Sequence, residues 1–410
     1  MRLNNYLRGD GYVKIMDIVT ETALQEELQN LYHFFHLNPE TGFEEINTGK
    51  KISEYLKDLG FYVTEGVGKT GLVAILKGKK DSPAIAIRAD MDALPITEMT
   101  NLPFKSKTEG LMHACGHDVH ITCALGAAKI LSTLKNSLEG SVVMVFQPAE
   151  ELNQGAKEMV KDGLFERFPT DMIFGLHNHP EIPCGKVAIK EGPLMAAVDR
   201  IEISIKGKGG HGGLPHRDID PIVATGSAIM NLQTIVSRNI DPLDSAVVSL
   251  GTINGGTANN VIPDSIELTG TVRTFDPEIR NGMETRIRQI VENTAAAFGC
   301  TGKLNYIYQL PPVINPERPT EILRNSAGEV LGKDNIVDPI PSTGGEDFAI
   351  FQEKVPGCFF WLGSGNPEKG AVHPWHSPLF RVDEDCLSIG AATLAQTVIN
   401  AITELSAKEE

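Results

Sequence analysis

The sequence predicts an α/β protein: a mostly parallel, helix-covered sheet interrupted by a second, inserted α/β domain. Three observations carry that expectation. Apolar runs of buried-strand character alternate with helical periodicity in the first part of the chain, which is the pattern of a sheet covered by helices. Near Ala197 the pattern changes to strand, helix, strand, strand, helix, strand. Acids and histidines then fall where the apolar runs end, the place where open α/β sheets expose a crevice.

In chain order, helical periodicity spans about Thr22 to His36 and again Thr48 to Leu59, where Ile52, Tyr55, Leu56 and Leu59 share a face and Gly60 stops the helix. Strands are expected at Gly71 to Leu76, Ala84 to Ala89 and Ser141 to Phe146, with a helix from about His120 to Leu134 between the last two. A further apolar run, Met172 to Leu176, ends before His177. The inserted part opens with a strand in which Ile201, Ile203 and Ile205 alternate, followed by a glycine-rich loop and a helix from Pro221 to about Val236. Strands near Ala246 to Ile253 and Ser265 to Thr274, a helix Pro277 to Phe298 and a strand Leu304 to Tyr308 complete a split βαβ, ferredoxin-like order. The expected division is residues 1–195 and 313–410 for the first domain and 196–312 for the insertion. A helix from Asp383 to about Leu405 closes the fold.

Composition bounds the function. A chain of 410 residues exceeds one ordinary domain, and 41% hydrophobic content is that of a globular protein. A net charge of −16 with no Lys/Arg cluster excludes nucleic acid as the expected partner. The six cysteines lack C-x-x-C spacing and suit a reducing compartment, so a cytoplasmic location is expected. The N-terminus carries no signal-like apolar run, and no stretch is expected to span a bilayer. Residues 1–15 are polar and patternless, and Met16 offers an alternative start, so this segment reads as an appendage.

The chemistry-bearing residues gain weight only together. His113, Cys115 and His117 lie in a short segment before a helix, where a thiolate and an imidazole two residues apart can reach one metal ion or two. Alone, such a pair is weak evidence, since a cysteine is far more often simply a small buried residue. Glu150 and Glu151 follow an apolar strand, and paired carboxylates near an interior need a cation or a shared proton unless they stay exposed. Of His177 and His179, on opposite sides of Asn178, His177 is the better candidate. His373 and His376 flank Pro374-Trp375. Asp90 and Asp92 follow another strand end. In the insertion, Gly207-Lys208-Gly209-Gly210-His211-Gly212-Gly213 lacks the ending of a phosphate loop and instead lets the backbone bring His211 close to a ligand. Asn260 and Arg273 are further polar candidates, the latter suited either to a carboxylate fork or to a structural ion pair.

In order along the chain, His36-Leu37-Asn38-Pro39-Glu40, Arg88-Ala89-Asp90-Met91-Asp92-Ala93-Leu94-Pro95, His113-Ala114-Cys115-Gly116-His117-Asp118, Glu150-Glu151, His177 and His376-Ser377-Pro378 closely resemble the dinuclear-metal amidohydrolase and peptidase family. That family contains aminoacylases, hippurate hydrolases and the hydrolases of indole-acetyl amino acids. The resemblance implies two divalent metal ions per subunit, zinc by default with manganese, cobalt or nickel able to serve. It implies Cys115, His117, Glu151, His177 and His376 as ligands, with Cys115 bridging in place of the carboxylate usual in the wider family. It further implies Glu150 as general base to a metal-bound hydroxide, and a catalytic role for Asp92. His211 would stabilise the oxyanion from the partner of a homodimer joined through the inserted domains, while Asn260 and Arg273 recognise substrate. The implied activity is hydrolysis of N-acyl-L-amino acids to a carboxylate and a free amino acid. A metallo-carboxypeptidase or dipeptidase using the same residues is the enzymatic alternative, and a non-catalytic metal-binding scaffold is the alternative of another class, disfavoured by the presence of Glu150.

Overall fold

The computed structural model describes Ile15 and residues 22–407. The N-terminal segment read as an appendage lies outside those residues except for Ile15, which is buried in the core of the first unit. The chain divides into two units. One holds the chain up to Gly192, Ile314–Ile340 and the chain from Asp347 onward; the other holds Pro193–Val313 and Pro341–Glu346. Residues 341–346, assigned from the sequence to the first domain, cluster with the second.

The sheet of the first unit runs Tyr62–Val67, Gly71–Lys77, Ser141–Gln147, Ala84–Asp90, Met172–Pro183, Gly357–Gly365, Val187–Ala188, Ile336–Val337. Its middle, from Ser141–Gln147 to Gly357–Gly365, is parallel, and antiparallel pairs flank it. The sheet is therefore mixed around a parallel centre. The central strands Ala84–Asp90, Ser141–Gln147 and Gly357–Gly365 are buried along their whole length, as continuous apolar runs covered on both faces require. Gly357–Gly365 and the helix Glu317–Leu331 are elements the sequence reading did not assign.

The helix His117–Thr133 packs against Thr22–Leu37, Cys386–Ser406 and the strand Ala84–Asp90. Small residues permit the close crossing: a β-carbon on Gly126 would come within 2.7 Å of the Ala391 β-carbon, and one on Gly390 within 2.5 Å of Cys123 Sγ. By length and composition alone, Cys386–Ser406 is apolar enough to cross a membrane, contrary to the expectation that no stretch would be. Its buried residues, among them Leu387, Ala391, Leu394 and Val398, belong to the core of the first unit, which accounts for its apolarity.

The second unit is a four-stranded antiparallel sheet in the order Ala246–Asn254, Ser265–Thr274, Ala197–Lys206, Thr301–Leu310. Its helices Pro221–Asn239 and Pro277–Ala297 each begin with Asp-Pro, and Asp220 and Asp276 accept from the first free backbone N–H groups. The alternating Ile201, Ile203 and Ile205 meet Leu232, Ile235, Ile287 and Val291 in one core. Strand and helix order match the split βαβ expectation.

Candidate metal centre

Gly116 makes the turn that aims the central motif. Its φ of 85° lies in the left-handed region, and a β-carbon there would come within 2.3 Å of Asn178 Nδ2. That amide donates to the Cys115 carbonyl at 2.7 Å and locks the turn. Cys115 thus precedes the helix, and His117 is its first residue. The strand Met172–Pro183 runs well past the expected end, so His177 and His179 lie inside it on one face, the first buried and the second half-buried. Nδ1 of His177 donates to the Asn178 carbonyl at 2.7 Å, which leaves Nε2 with its lone pair, 3.4 Å from Cys115 Sγ.

Two trios result. Cys115, His117 and His177 bring one ligand atom each within 4.8 Å of one another, and Cys115, Glu151 and His376 do the same, so the thiol belongs to both. Nε2 of His376 lies 3.4 Å from Glu151 Oε1. His376 itself has φ 62°, a conformation that costs a non-glycine residue about 1–3 kcal/mol. A bond from its N–H to the Ala114 carbonyl at 2.8 Å ties it to the central motif, and the neighbouring Trp375 indole donates to the Asn178 carbonyl at 3.1 Å. His179 contacts the Trp361 and Trp375 rings, and His373 has no place in either trio.

Asp92 is placed as a support. Its Oδ1 accepts from the Glu150 N–H and its Oδ2 from the Glu151 N–H, both at 3.0 Å, and Oδ1 also lies 3.3 Å from His117 Nδ1. The carboxylate is thereby committed to holding the two glutamates and an imidazole, and the catalytic role expected for it becomes one of positioning. Glu150 is buried, with Oε2 4.0 Å from His117 Nε2.

Beneath these residues lies a layer of which sequence reasoning singled out only Asp90. His120 Nε2 accepts from the Asn178 N–H at 2.9 Å, so its proton sits on Nδ1 and is donated to Asp90 Oδ1 at 2.6 Å. Buried Arg88 donates to Asp90, Asp347 and Gln147 at 2.9, 2.9 and 2.8 Å. The spacing of His117 and His120, three residues apart on one helix, was the available signal for His120.

His211, Asn260 and Arg273 all lie in the second unit. His211 pairs with Val261, and the Gly212 N–H donates to the Asn260 carbonyl at 2.8 Å, so the first two are neighbours; both are exposed. Arg273 is elsewhere. Ser265 pairs with Lys206 at one end of the sheet, next to that two-stranded pairing, whereas Arg273 pairs with Val198 at the other. Eight residues of strand separate the ends by roughly 26 Å.

The charges ask for a cation. Burial and the Glu151 carboxylate push the Cys115 thiol well above its ordinary range. Burial disfavours a charged His117, yet the charge of Asp90 and the bond to Asp92 hold the ring protonated well above the ordinary value. His177 is driven the other way by burial and by His120. In hydrogen-bond terms, His117 Nε2 and Glu151 Oε1 are buried without a partner. Buried donors and acceptors are normally satisfied. A divalent cation at each trio would use these atoms, ionise the thiol and supply the positive charge the acids attract. The residues present fit a dinuclear centre.

The profile of a known family, described as peptidase family M20/M25/M40, matches residues 86–400. N-acetylcysteine deacetylase of Bacillus subtilis (strain 168) is 43% identical over 384 residues, 93% of this chain and 98% of its own length. An IAA-amino acid hydrolase of Arabidopsis thaliana is 40% identical over 376 residues, 91% of this chain and 85% of its own. Thermostable carboxypeptidase 2 of Saccharolobus solfataricus is 40% identical over 370 residues, 89% of this chain and 92% of its own. Among solved structures, a dinuclear metal binding peptidase of the M20 family from Bacillus subtilis superposes with a TM-score of 0.83 at 40% identity, covering 93% of this chain and 99% of that one.

Proposed function

The chain belongs to peptidase family M20/M25/M40, and from that premise we propose that it is an amide hydrolase that cleaves N-acyl-L-amino acids to a carboxylate and a free amino acid. The observation that carries the reading is the pair of ligand trios sharing Cys115, with Glu150 buried beside them. The deacetylase and IAA-amino acid hydrolase relatives support the substrate class.

Cys115, His117 and His177 would hold one divalent ion, and Cys115, Glu151 and His376 the other; a shared thiolate favours zinc. When bound, two such ions supply Lewis acidity to the amide carbonyl and acidify a water. Glu150 acts as general base, taking a proton from the attacking water on its carboxylate and later giving it to the departing amine nitrogen. Asp92 fixes the backbone that carries Glu150 and Glu151 by accepting from their consecutive N–H groups. His211 would donate to the oxyanion, Asn260 would contact the substrate, and Arg273 would grip the α-carboxylate with its fork.

The second unit supports assembly as a homodimer. His211 and Arg273 lie at opposite ends of its sheet, so a single copy of that unit cannot offer both to one substrate. Its outer strand Ala246–Asn254 also leaves Val247 and Ile253 exposed, beside exposed Ile222, Val223 and Met230 on the helix Pro221–Asn239. An uncovered edge of this kind suits pairing with a second copy. Six free cysteines suit a reducing compartment such as the cytoplasm.

A panel of N-acetyl and N-benzoyl amino acids and dipeptides, run with zinc, manganese, cobalt and nickel, tests the reading. Turnover of the acyl amino acids, abolished in Glu150→Gln with bound metal retained, is expected. Cleavage of peptides alone would favour the carboxypeptidase alternative, to which the Saccharolobus relative lends weight. Full activity of Glu150→Gln would remove the base assignment.

A further inference from the structure

Glu45 occupies the N-cap position of the helix Ile46–Asp58, yet its side chain makes no bond to that helix. A capping acid ordinarily accepts from the first free N–H groups of its own helix. Here the carboxylate is fully buried and turned elsewhere: Oε1 accepts from the Ala149 N–H at 2.8 Å, and Oε2 accepts from the Thr70 hydroxyl. Burying a carboxylate is costly even when its lone pairs are used, so capping does not account for this placement.

Ala149 does. It has φ 50°, is buried, and immediately precedes Glu150. The left-handed conformation brings an alanine β-carbon against the following carbonyl, so an unsupported turn would relax away from it. Its N–H is held by Glu45, and its own carbonyl accepts from the Gly155 N–H at 3.1 Å. The chain before Glu45 presses on the same turn, because a β-carbon on Gly42 would lie 2.9 Å from that of Ala149. Three successive amides, those of Ala149, Glu150 and Glu151, are thus taken by carboxylates of Glu45 and Asp92.

We propose that Glu45 is a positioning residue for Glu150: by accepting the Ala149 N–H it holds that residue left-handed and so sets the direction in which the Glu150 side chain leaves the turn. The proposal rests on the reading of Glu150 as the base. Glu45 itself touches neither ligand trio.

The test uses the full chain loaded with zinc and the variants Glu45→Leu, Glu45→Asp and Glu45→Gln. Leu removes the acceptor, Asp keeps the charge but withdraws it, and Gln retains an acceptor for Ala149 while donating to Thr70. We expect Leu and Asp to lower kcat about ten- to a hundredfold, as small misplacements of a reacting group do. KM and the two bound ions per chain should stay as in the parent, and hydrogen exchange at the Ala149 amide should quicken. Gln should restore kcat. Ala149→Gly in the Glu45→Leu background should recover part of it, since glycine adopts positive φ without a β-carbon penalty. If Glu45→Leu does not fold, Glu45→Asp decides the question. Unchanged kcat despite faster exchange would overturn the proposal, as would a kcat loss that tracks loss of metal and resists Ala149→Gly. Exchange and metal content report on Ala149 even if Glu150→Gln proves active, which would sink only the base assignment.

Discussion

Cys115 and His211 belong to regions built in opposite ways. Around Cys115, each imidazole of the first trio is buried and set from behind: Asp92 faces His117, the Asn178 carbonyl fixes the tautomer of His177, and Arg88 and His120 hold Asp90 in place. Around His211 almost nothing is set. The side chain is exposed on a short two-stranded ribbon, with Nδ1 accepting from the Gly213 N–H at 2.9 Å and Asn260 equally open beside it. The first region is preorganised by its own unit, as a site for charge chemistry requires. The second offers its groups outward to solvent.

The largest effect should come from breaking the preorganised side. Cys115→Ala removes the atom common to both trios, so metal analysis should find both ions lost and activity gone. Loss of a single ion would show that the thiol serves one trio only. Next, His211→Ala should lower kcat about a hundred- to a thousandfold with both ions retained. Mixed with Glu150→Gln and allowed to exchange subunits, it should regain part of the activity if His211 serves a partner's site. No recovery in verified mixed dimers would place His211 in its own chain's site or none.

The smallest effect concerns the frame behind the first region. His36 is fully buried, its Nδ1 2.6 Å from Asp118 and its Nε2 3.3 Å from Glu98. Burial favours the neutral ring, but the bonds to Asp118 and Glu98 prevail and raise it from 6.5 to about 9. A raised pKa means that the stabilisation is complete below the unfolded value and is lost as pH climbs through the folded one. The parent should therefore exceed His36→Gln by a few kcal/mol near pH 6 and lose that advantage by about pH 9. Urea midpoints measured across this range would show it, and parallel curves for the two proteins would refute it.

Much of the site was legible because its residues sit in short motifs with local logic. A Cys-x-His before a helix and a Glu-Glu after a strand can be read where they stand. His120 escaped because it lies inside the helix, where a histidine passes for packing, and Glu45 escaped because its partner Ala149 is remote in sequence and carries no side-chain signal. Gly357–Gly365 could have been found as a continuous apolar run bounded by glycines. Its absence from the reading also explains the misplaced end of Met172–Leu176. Gly363 and Gly365 let the partner strand pass where a β-carbon would strike the Pro183 and Pro180 carbonyls at 2.2 and 2.1 Å, and that pairing carries the ladder on to Pro183.

By itself the sequence determined the class of fold, the order of elements in the inserted unit and the side chains able to bind metal, because periodicity, capping residues and ligand chemistry are local properties. Only the tertiary structure decided which of those side chains meet. It sorted five candidates into two trios around one thiol, moved Asp92 from chemistry to support, and set His211 and Arg273 at opposite ends of one sheet. Each of these depends on distances between segments remote in the chain, and such distances follow from strand pairing and packing that no single segment encodes.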